Sequence, residues 1–556
     1  MSEKSTVIKT AFPLVAIVLA FFSISFGIWN AGVPFGDECG YIEAARELNA
    51  SKKYSSNLYL LSYQIIFKVT QASPVSAHII LRTISSLSSV FLLYLLFKRV
   101  KTRLNDLAIL LICIFWMNCN VNIPLVQYGN INLFTLNIAL VGTVLLLNNL
   151  SLNTFFICIS AMFLCAKIRP EYWIAVFLVP SYMLYAKRDF IFNSTRENII
   201  SYLSQAKTGL IVLFLSIIFI FNGSEQKRNF DKYLLLGLSQ SYTYLYAKTN
   251  PNLNMNTMLE YSSLIDEVFD KPTGFVDAAI KNPYEITRYF LINGFVNIIL
   301  LLPSLLYHRH IISERLLSVQ TVILIITAVP FIETVVFLKD RVSREGGLQS
   351  VLRTRISKIF SCLAVFISNR TDISILIILA LVASVSVPLL IPDPRYWISC
   401  IPLLLLWLTW GFSKTFERLT SKKILFTMVV IICVWLSRPM FMIKNDNRNL
   451  IEMIEQHGKR TGIVKPVVAG QTSVGTYVFC KFTPVNINQM DLDFFTHRKF
   501  DYFIVDKTII GSQFWETNHE VLEKFFQRPE TFGYSLIYAS KQSGELLCAF
   551  AKNTAL

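Results

Sequence analysis

Three short clusters of ionisable residues stand at the edges of long apolar runs, and each has a chemistry open to it. Asp37 and Glu38 sit side by side in the stretch Pro34-Phe-Gly-Asp37-Glu38-Cys-Gly-Tyr41. A carboxylate there can take the proton of an attacking hydroxyl; equally, two acids there oppose the macrodipole of a helix starting near Tyr41. Lys167, Arg169 and Glu171 form the turn Lys-Ile-Arg-Pro-Glu between two apolar runs. Either Arg169 and Glu171 pair and close the hairpin, with Pro170 suited to a first helical turn, or Arg169 or Lys167 binds an anion and Glu171 orients it. Arg395 and Tyr396 follow Pro392-Asp-Pro at a third edge. The guanidinium fork matches a phosphate and Tyr396 suits an interfacial belt. Snorkelling of Arg395 to lipid headgroups is the other reading.

The elements that must position these residues are membrane spans. Of 556 residues, 53% are hydrophobic and only 16% charged, against about 25% charged in soluble domains, and the mean hydropathy is +0.50. The net charge of +16 does not imply a nucleic-acid partner, because the basic residues gather at the ends of apolar runs. Lys98, Arg99, Lys101 and Arg103 follow one run; Lys187 and Arg188 follow another; Lys414, Arg418, Lys422 and Lys423 separate two more. That pattern reports orientation across a bilayer.

A helical crossing takes about 20 apolar residues. Residues 11–29, behind Lys4 and Lys9, read as an uncleaved first span leaving the cytoplasm, longer than the core of a signal peptide. An outer segment, 30–75, follows, with a short helix near 41–48 and an interfacial amphipathic helix at 58–69. Spans are expected at 77–97, 104–117, 131–147, 154–168, 173–186 and 208–221. A long outer loop, 222–286, carries Tyr233, Tyr242, Tyr244, Tyr246 and Tyr261, read as interfacial anchors in preference to a sugar-stacking surface. Beyond it, 287–307 and 316–338 are both long enough to cross, and 356–368 is a further short candidate, so the count is eleven or thirteen. Spans at 373–391, 397–412 and 424–442 complete an odd number, which places the tail outside.

Residues 445–556 have the texture of a small soluble α/β domain, with helices expected at 448–459 and 518–526 and strands at 466–469 and 502–505. Ten cysteines form no Cys-x-x-Cys pair, and six histidines never join them at metal-ligand spacing. Cys113, Cys158, Cys165 and Cys433 lie in apolar runs as packing residues. Cys480 and Cys548 sit in strand-like stretches, where an extracytoplasmic disulfide is one option. The chain is thus expected to be an α-helical polytopic membrane protein, with its membrane domain over 1–444 and an extracytoplasmic α/β domain over 445–556.

Taken together, the three edge motifs resemble those of the GT-C glycosyltransferases, polytopic enzymes that use polyprenyl-phosphate-linked sugars. The resemblance is to the branch of the protein O-mannosyltransferases and the aminoarabinose transferase. Asp37-Glu38-Cys-Gly-Tyr41 looks like the early acidic motif, Arg169-Pro-Glu171 like the hairpin turn, and Arg395-Tyr396 with Pro402 like a late Arg-Tyr motif. The resemblance implies Asp37 as catalytic base, with Glu38 as its alternative or an acceptor-positioning partner. It implies Arg395 as the holder of the donor phosphate and Arg169 as a donor- or acceptor-binding residue. It further implies a polyprenyl-phosphate-linked sugar donor, a glycan or lipid acceptor, and a multi-pass place in a bacterial inner membrane. No His/Glu metal pair of the kind some relatives carry is evident, so no metal is assigned and a divalent ion stays open.

Two other polytopic classes compete. A lipid-linked oligosaccharide flippase predicts repeated halves and ionisable residues in mid-span, whereas no internal repeat is visible. An O-antigen polymerase or ligase predicts outer-loop Arg/His sites in preference to an early acidic pair. A non-catalytic assembly subunit predicts that the acid pair and both arginines tolerate substitution.

Overall fold

The computed structural model describes residues 58–70, 74–100, 104–117, 131–186, 206–221, 230–249, 261–306, 371–389, 398–418, 446–463, 466–470, 483–486, 500–505, 513–542 and 545–553, together with 41, 42, 44, 45, 204 and 332. The expected spans at 11–29, 316–338, 356–368 and 424–442 lie outside them.

Helices follow the apolar runs closely. They are α1 (Leu58–Thr70), α2 (Pro74–Arg99), α3 (Asp106–Met117), α4 (Ile131–Asn148), α5 (Leu152–Ile168), α6 (Trp173–Ala186) and α7 (Lys207–Phe221). Further along come α12 (Thr371–Leu389) and α13 (Ile401–Arg418). Among the described residues, Ser76–Arg99 and Ile131–Asn148 are long and apolar enough to cross a membrane. α5 starts where Ser151 caps it: the Ser151 hydroxyl accepts from Thr154 N–H, and Thr154 returns a bond to the cap. α4 and α5 cross closely because Gly142 has no side chain. A Cβ there would lie 2.8 Å from Ala161 Cβ and 3.1 Å from Cys158 Cα. Small residues at such crossings are how membrane helices gain packing where water offers no drive to associate.

The bundle has two distinct ends. Asn105 N–H donates to Ser413 Oγ at 2.9 Å, joining the start of α3 to the end of α13. Tyr182 Oη donates to Thr371 Oγ1 at 3.3 Å, joining the end of α6 to the start of α12. Gly209 N–H donates to Asn153 Oδ1, joining the starts of α7 and α5. Lys98, Arg99, Lys207 and Lys414 share this end, where Lys98 also pairs with Asp106 across the α2–α3 turn. At the other end, Ala77 and Leu81 of α2, Ile131 of α4 and Ile168 of α5 join one buried cluster.

The described residues within 222–286 are largely helical. α8 (Phe230–Thr249), α9 (Tyr261–Val268), α10 (Phe275–Lys281) and the start of α11 (Pro283–Leu306) enclose their own core of Leu238, Tyr242, Leu264, Phe269, Ile286 and Tyr289. Tyr242 and Tyr246, expected at the lipid interface, instead stack on each other inside this unit, and Tyr242 Oη donates to Glu285 Oε1 at 2.7 Å. A tyrosine-rich helix carries enough apolar area to build a core when other helices cover it. Tyr233, Tyr244 and Tyr261 have side chains outside the described set. α9 ends at Asp270 and Lys271, both left-handed at φ 51. Lys281 Nζ donates to Asp270 O at 3.0 Å, satisfying a carbonyl freed at the helix end.

The C-terminal segment forms α14 (Asp446–Thr461), β1 (Val467–Gly470), β2 (Thr483–Asn486), β3 (Tyr502–Val505), α15 (Gln513–Gln527), β4 (Tyr534–Gln542) and β5 (Glu545–Lys552). The strands make one sheet in the order β2-β1-β3-β5-β4. β1 is parallel to β2 and β3, and β5 is antiparallel to β3 and β4. Successive strand residues face opposite sides. Val468, Tyr502, Ile504, Ala549 and Ala551 join a cluster with Leu450 and Ile454 of α14. Ala469, Phe503, Val505, Cys548 and Phe550 pack with Leu522 and Phe525 of α15. Cys548 is a buried free thiol, so the disulfide with Cys480 considered above does not form; β5 points Cys548 into the aromatic face. Cys480 lies outside the described residues.

Candidate functional site

The turn between α5 and α6 carries a partly buried ion pair, and its local geometry follows from Pro170. A residue before proline is pushed to extended backbone, and Arg169 sits at φ −134, ψ 105. Its N–H still closes α5 onto Cys165 O at 2.7 Å. Pro170 then opens a single 3-10 turn, Pro170–Tyr172, before α6. This geometry brings two residues only two apart within reach. Arg169 Nε donates to Glu171 Oε1 at 2.8 Å, and Nη2 lies 2.7 Å from the same oxygen. The side chains are 12% and 14% exposed. A pair so sheltered holds the guanidinium in a fixed orientation at the end of the bundle. Lys167, on the last turn of α5, stands beside it in sequence and makes its own interactions.

Tyr172 is the residue of this turn that sequence reasoning passed over. It is 3% exposed, and its hydroxyl makes no hydrogen bond. A buried hydroxyl without a partner is costly, so its place beside Arg169 and Glu171 marks the turn as polar beyond what helix closure needs. Its only sequence signal is the placement of an aromatic hydroxyl directly after Arg-Pro-Glu.

Arg82 was missed as well. It is 3% exposed inside α2, on a face that continues through Ser85, Ser86 and Ser89, all buried. Asn137 Nδ2 of α4 donates to Ser85 O at 2.7 Å, and Trp116 Nε1 of α3 donates to Ser89 Oγ at 2.9 Å. A lone arginine within an apolar run was the available signal, because intramembrane ionisable residues are rare.

Asp37, Glu38, Arg395 and Tyr396 lie outside the described residues. Their sequence neighbours do converge. Ile42 and Ala45, just beyond the acid pair, share a buried cluster with Ile168, which precedes Arg169. Ile398 and Ile401, just beyond Tyr396, stand at the start of α13, whose other end meets Asn105 at the lysine-rich end. Ile168 in turn belongs to the cluster that takes in one face of the C-terminal sheet. The flanks of all three motifs and the α/β domain therefore meet at the end opposite Lys98, Arg99, Lys207 and Lys414.

Comparison with known proteins found no matching family model and no matching curated protein. Among solved structures, the apo state of ArnT from Cupriavidus metallidurans aligns at a TM-score of 0.35, with 10% identity over 98% of each chain. The chain is likewise similar, at a TM-score of 0.42 and 10% identity over 98% of both chains, to ArnT from Cupriavidus metallidurans bound to undecaprenyl phosphate.

Proposed function

We propose that this chain is a membrane glycosyltransferase of the GT-C kind, moving a sugar from a polyprenyl-phosphate-linked donor to an extracytoplasmic glycan or lipid acceptor. The observation that carries the reading is the sheltered Arg169–Glu171 pair. It stands at the bundle end where the flanks of the acid and Arg-Tyr motifs meet, away from the lysine-rich end. In this reading the lysine-rich end is cytoplasmic, and the paired end faces the outer leaflet, where a lipid-borne donor is reached from the bilayer.

Asp37 accepts the proton of the acceptor hydroxyl as its oxygen attacks the anomeric carbon, with Glu38 positioning the acceptor or replacing Asp37 in that role. The bond from the anomeric carbon to the phosphate oxygen breaks, and its electron pair leaves with the polyprenyl phosphate. Arg395 and Arg169 stabilise the charge that grows on the phosphate, Lys167 adds to the field there, and Tyr396 lines the donor. One displacement inverts the anomeric centre.

The test is sugar release by the purified full chain from a polyprenyl-phosphate sugar, alongside Asp37→Asn and Arg395→Ala. Wild type should transfer, and both variants should fall by about two orders of magnitude or more. Full activity in Asp37→Asn removes the base assignment. Lipid translocation without transfer by wild type replaces the enzyme with a flippase. A reporter fused after Leu556 should read extracytoplasmic; a cytoplasmic signal inverts the topology.

A further inference from the structure

We infer that the junction between the C-terminal α/β segment and the bundle is an acid-released clasp, fastened on each side by a tyrosine–histidine pair. The inference does not depend on the glycosyltransferase reading. It concerns when this end of the bundle is covered, whatever the site there does.

Three observations carry it. First, one buried cluster makes the junction: Tyr63 of α1 and Ile168 of α5 share it with Ile454 of α14 and Tyr502 of β3. Second, each side of it carries the same device. Tyr63 and Tyr502 are both 0% exposed, and the hydroxyl of each stands on the Nδ1 of a half-buried histidine. Tyr63 Oη lies 3.1 Å from His78 Nδ1 of α2, and Tyr502 Oη lies 3.0 Å from His457 Nδ1 of α14. One pair thus belongs to the bundle and the other to the C-terminal segment. Third, His457 is reluctant to charge where it stands. Burial first, then Arg460, holds its pKa below the ordinary 6.5, and its ring meets that of Tyr502 edge to face at 5.6 Å between centroids.

A neutral imidazole accepts a tyrosine proton at one nitrogen, whereas a protonated one donates from both. On protonation the phenol must turn its own proton elsewhere within the cluster, and the new charge stands beside apolar surface, where it is costly. Water at the ring relieves both, and parted faces admit it more freely. The released state therefore binds the proton more tightly than the closed one. With the closed-state pKa of His457 depressed, the closed form is favoured above about pH 6.5. It loses ground as pH falls through 6.5 toward the lower closed value. The ionisable groups on the elements packed around His457 are Lys459 and Arg460 of α14, Asp501 of β3, Tyr538 of β4 and Lys552 of β5. Asp501, the acid among them, takes the Val467 N–H on its carboxylate, and Arg460 opposes a second positive charge. Those around His78 are Tyr59 and Lys68 of α1, Arg82 one turn along α2, and Lys167 of α5.

The experiment uses the full chain in detergent, spin-labelled through non-natural residues at two exposed positions, Val69 on α1 and Lys524 on α15. Pulsed electron resonance reads the distance between the labels from about pH 8 to about pH 5. At the alkaline end the chain should show one narrow distance, and a longer, broader population should grow below about pH 6.5. The double variant His78→Gln, His457→Gln, which keeps polar side chains and takes up no proton, should hold the short distance throughout. An unchanged wild-type distance at the acid end overturns the inference. A response that persists undiminished in the double variant also overturns it, by placing the titrating groups elsewhere. Far-ultraviolet circular dichroism separates release from unfolding. The spectrum should match at both ends of the range, and a loss of signal in step with the separation overturns the inference. Should the double variant fail to fold, the single variants decide. Each should show a smaller long-distance population than wild type at the acid end, and wild-type behaviour in both overturns the inference.

Discussion

Arg169 meets Glu171 through two nitrogens on one oxygen, across a proline that forbids the helical spacing by which such pairs usually form. Both side chains are mostly buried, so removing one partner strands the other charge. Arg169→Ala should lower stability by about 3 kcal/mol, read as a fall in the thermal midpoint of the purified chain. Arg169→Ala with Glu171→Gln should recover more than half of that loss, since no uncompensated carboxylate remains. If the double variant is no better than the single one, the pair contributes nothing by its charge.

Tyr172 separates stability from activity. Its hydroxyl is buried without a hydrogen bond, so Tyr172→Phe should be neutral or stabilising by about 1 kcal/mol. If that hydroxyl serves a bound substrate, the same variant loses sugar transfer while its thermal midpoint holds or rises. A midpoint that drops sharply would mean that the hydroxyl is satisfied in the folded chain.

Gly142 controls the approach of α4 to α5. Gly142→Ala places a methyl 2.8 Å from Ala161 Cβ, so it should cost about 1–3 kcal/mol by overpacking. Ala161→Gly in the same chain should return much of it, and the pair of variants can be compared by thermal unfolding in one detergent.

The bundle helices were legible because a long apolar run reads as a helix with all of its sides covered. α4, α5 and α6 begin and end within about two residues of where hydropathy alone puts them. The strand Tyr502–Val505 was legible for a similar reason, as a short run buried on both faces. The helices α8 to α10 were not. Their apolar residues are spaced among Tyr, Ser and Asn, and only mutual packing around Tyr242 and Phe269 makes them an interior. β4 was also hidden, since its polar, exposed positions form a strand only by pairing with β5. At the site, Arg169 and Glu171 announced themselves by standing between two spans. Arg82 did not, because a single charge barely lowers the hydropathy of a run its length.

His457 gives the C-terminal segment a pH dependence. Burial first, then the nearby Arg460, hold its pKa below the ordinary 6.5, and Nδ1 lies 3.0 Å from Tyr502 Oη. The unfolded chain therefore binds the proton more readily than the folded one. Stability is full above about pH 6.5 and declines as pH falls through 6.5 toward the lower folded value. Thermal unfolding followed from about pH 8 to about pH 5 should show this decline, and His457→Asn should flatten it. A wild-type midpoint that rises on acidification reverses the sign and contradicts the assignment.

Cys548 should be chemically silent. Burial pushes its thiol pKa up from 9.0, and the thiolate is the reactive form. Maleimide should leave Cys548 unmodified in the folded chain and label it once the chain is denatured, as read by peptide mass. Labelling in the folded state would place this thiol at the surface.

The buried cluster that joins Tyr59 and Tyr63 of α1 to Ile454, Tyr502 and Ala549 spans almost the whole length of the chain. Its early members emerge from the ribosome long before its late ones. Until the final hundred or so residues have been synthesised and delivered to the same face, α1 has Phe134, His78 and the start of α2, but none of the late members, against its aromatic side. A chain stopped short of β5 thus leaves the late-filled side of this cluster open to quality-control proteases. Completion of the last strand is then the event that closes this cluster.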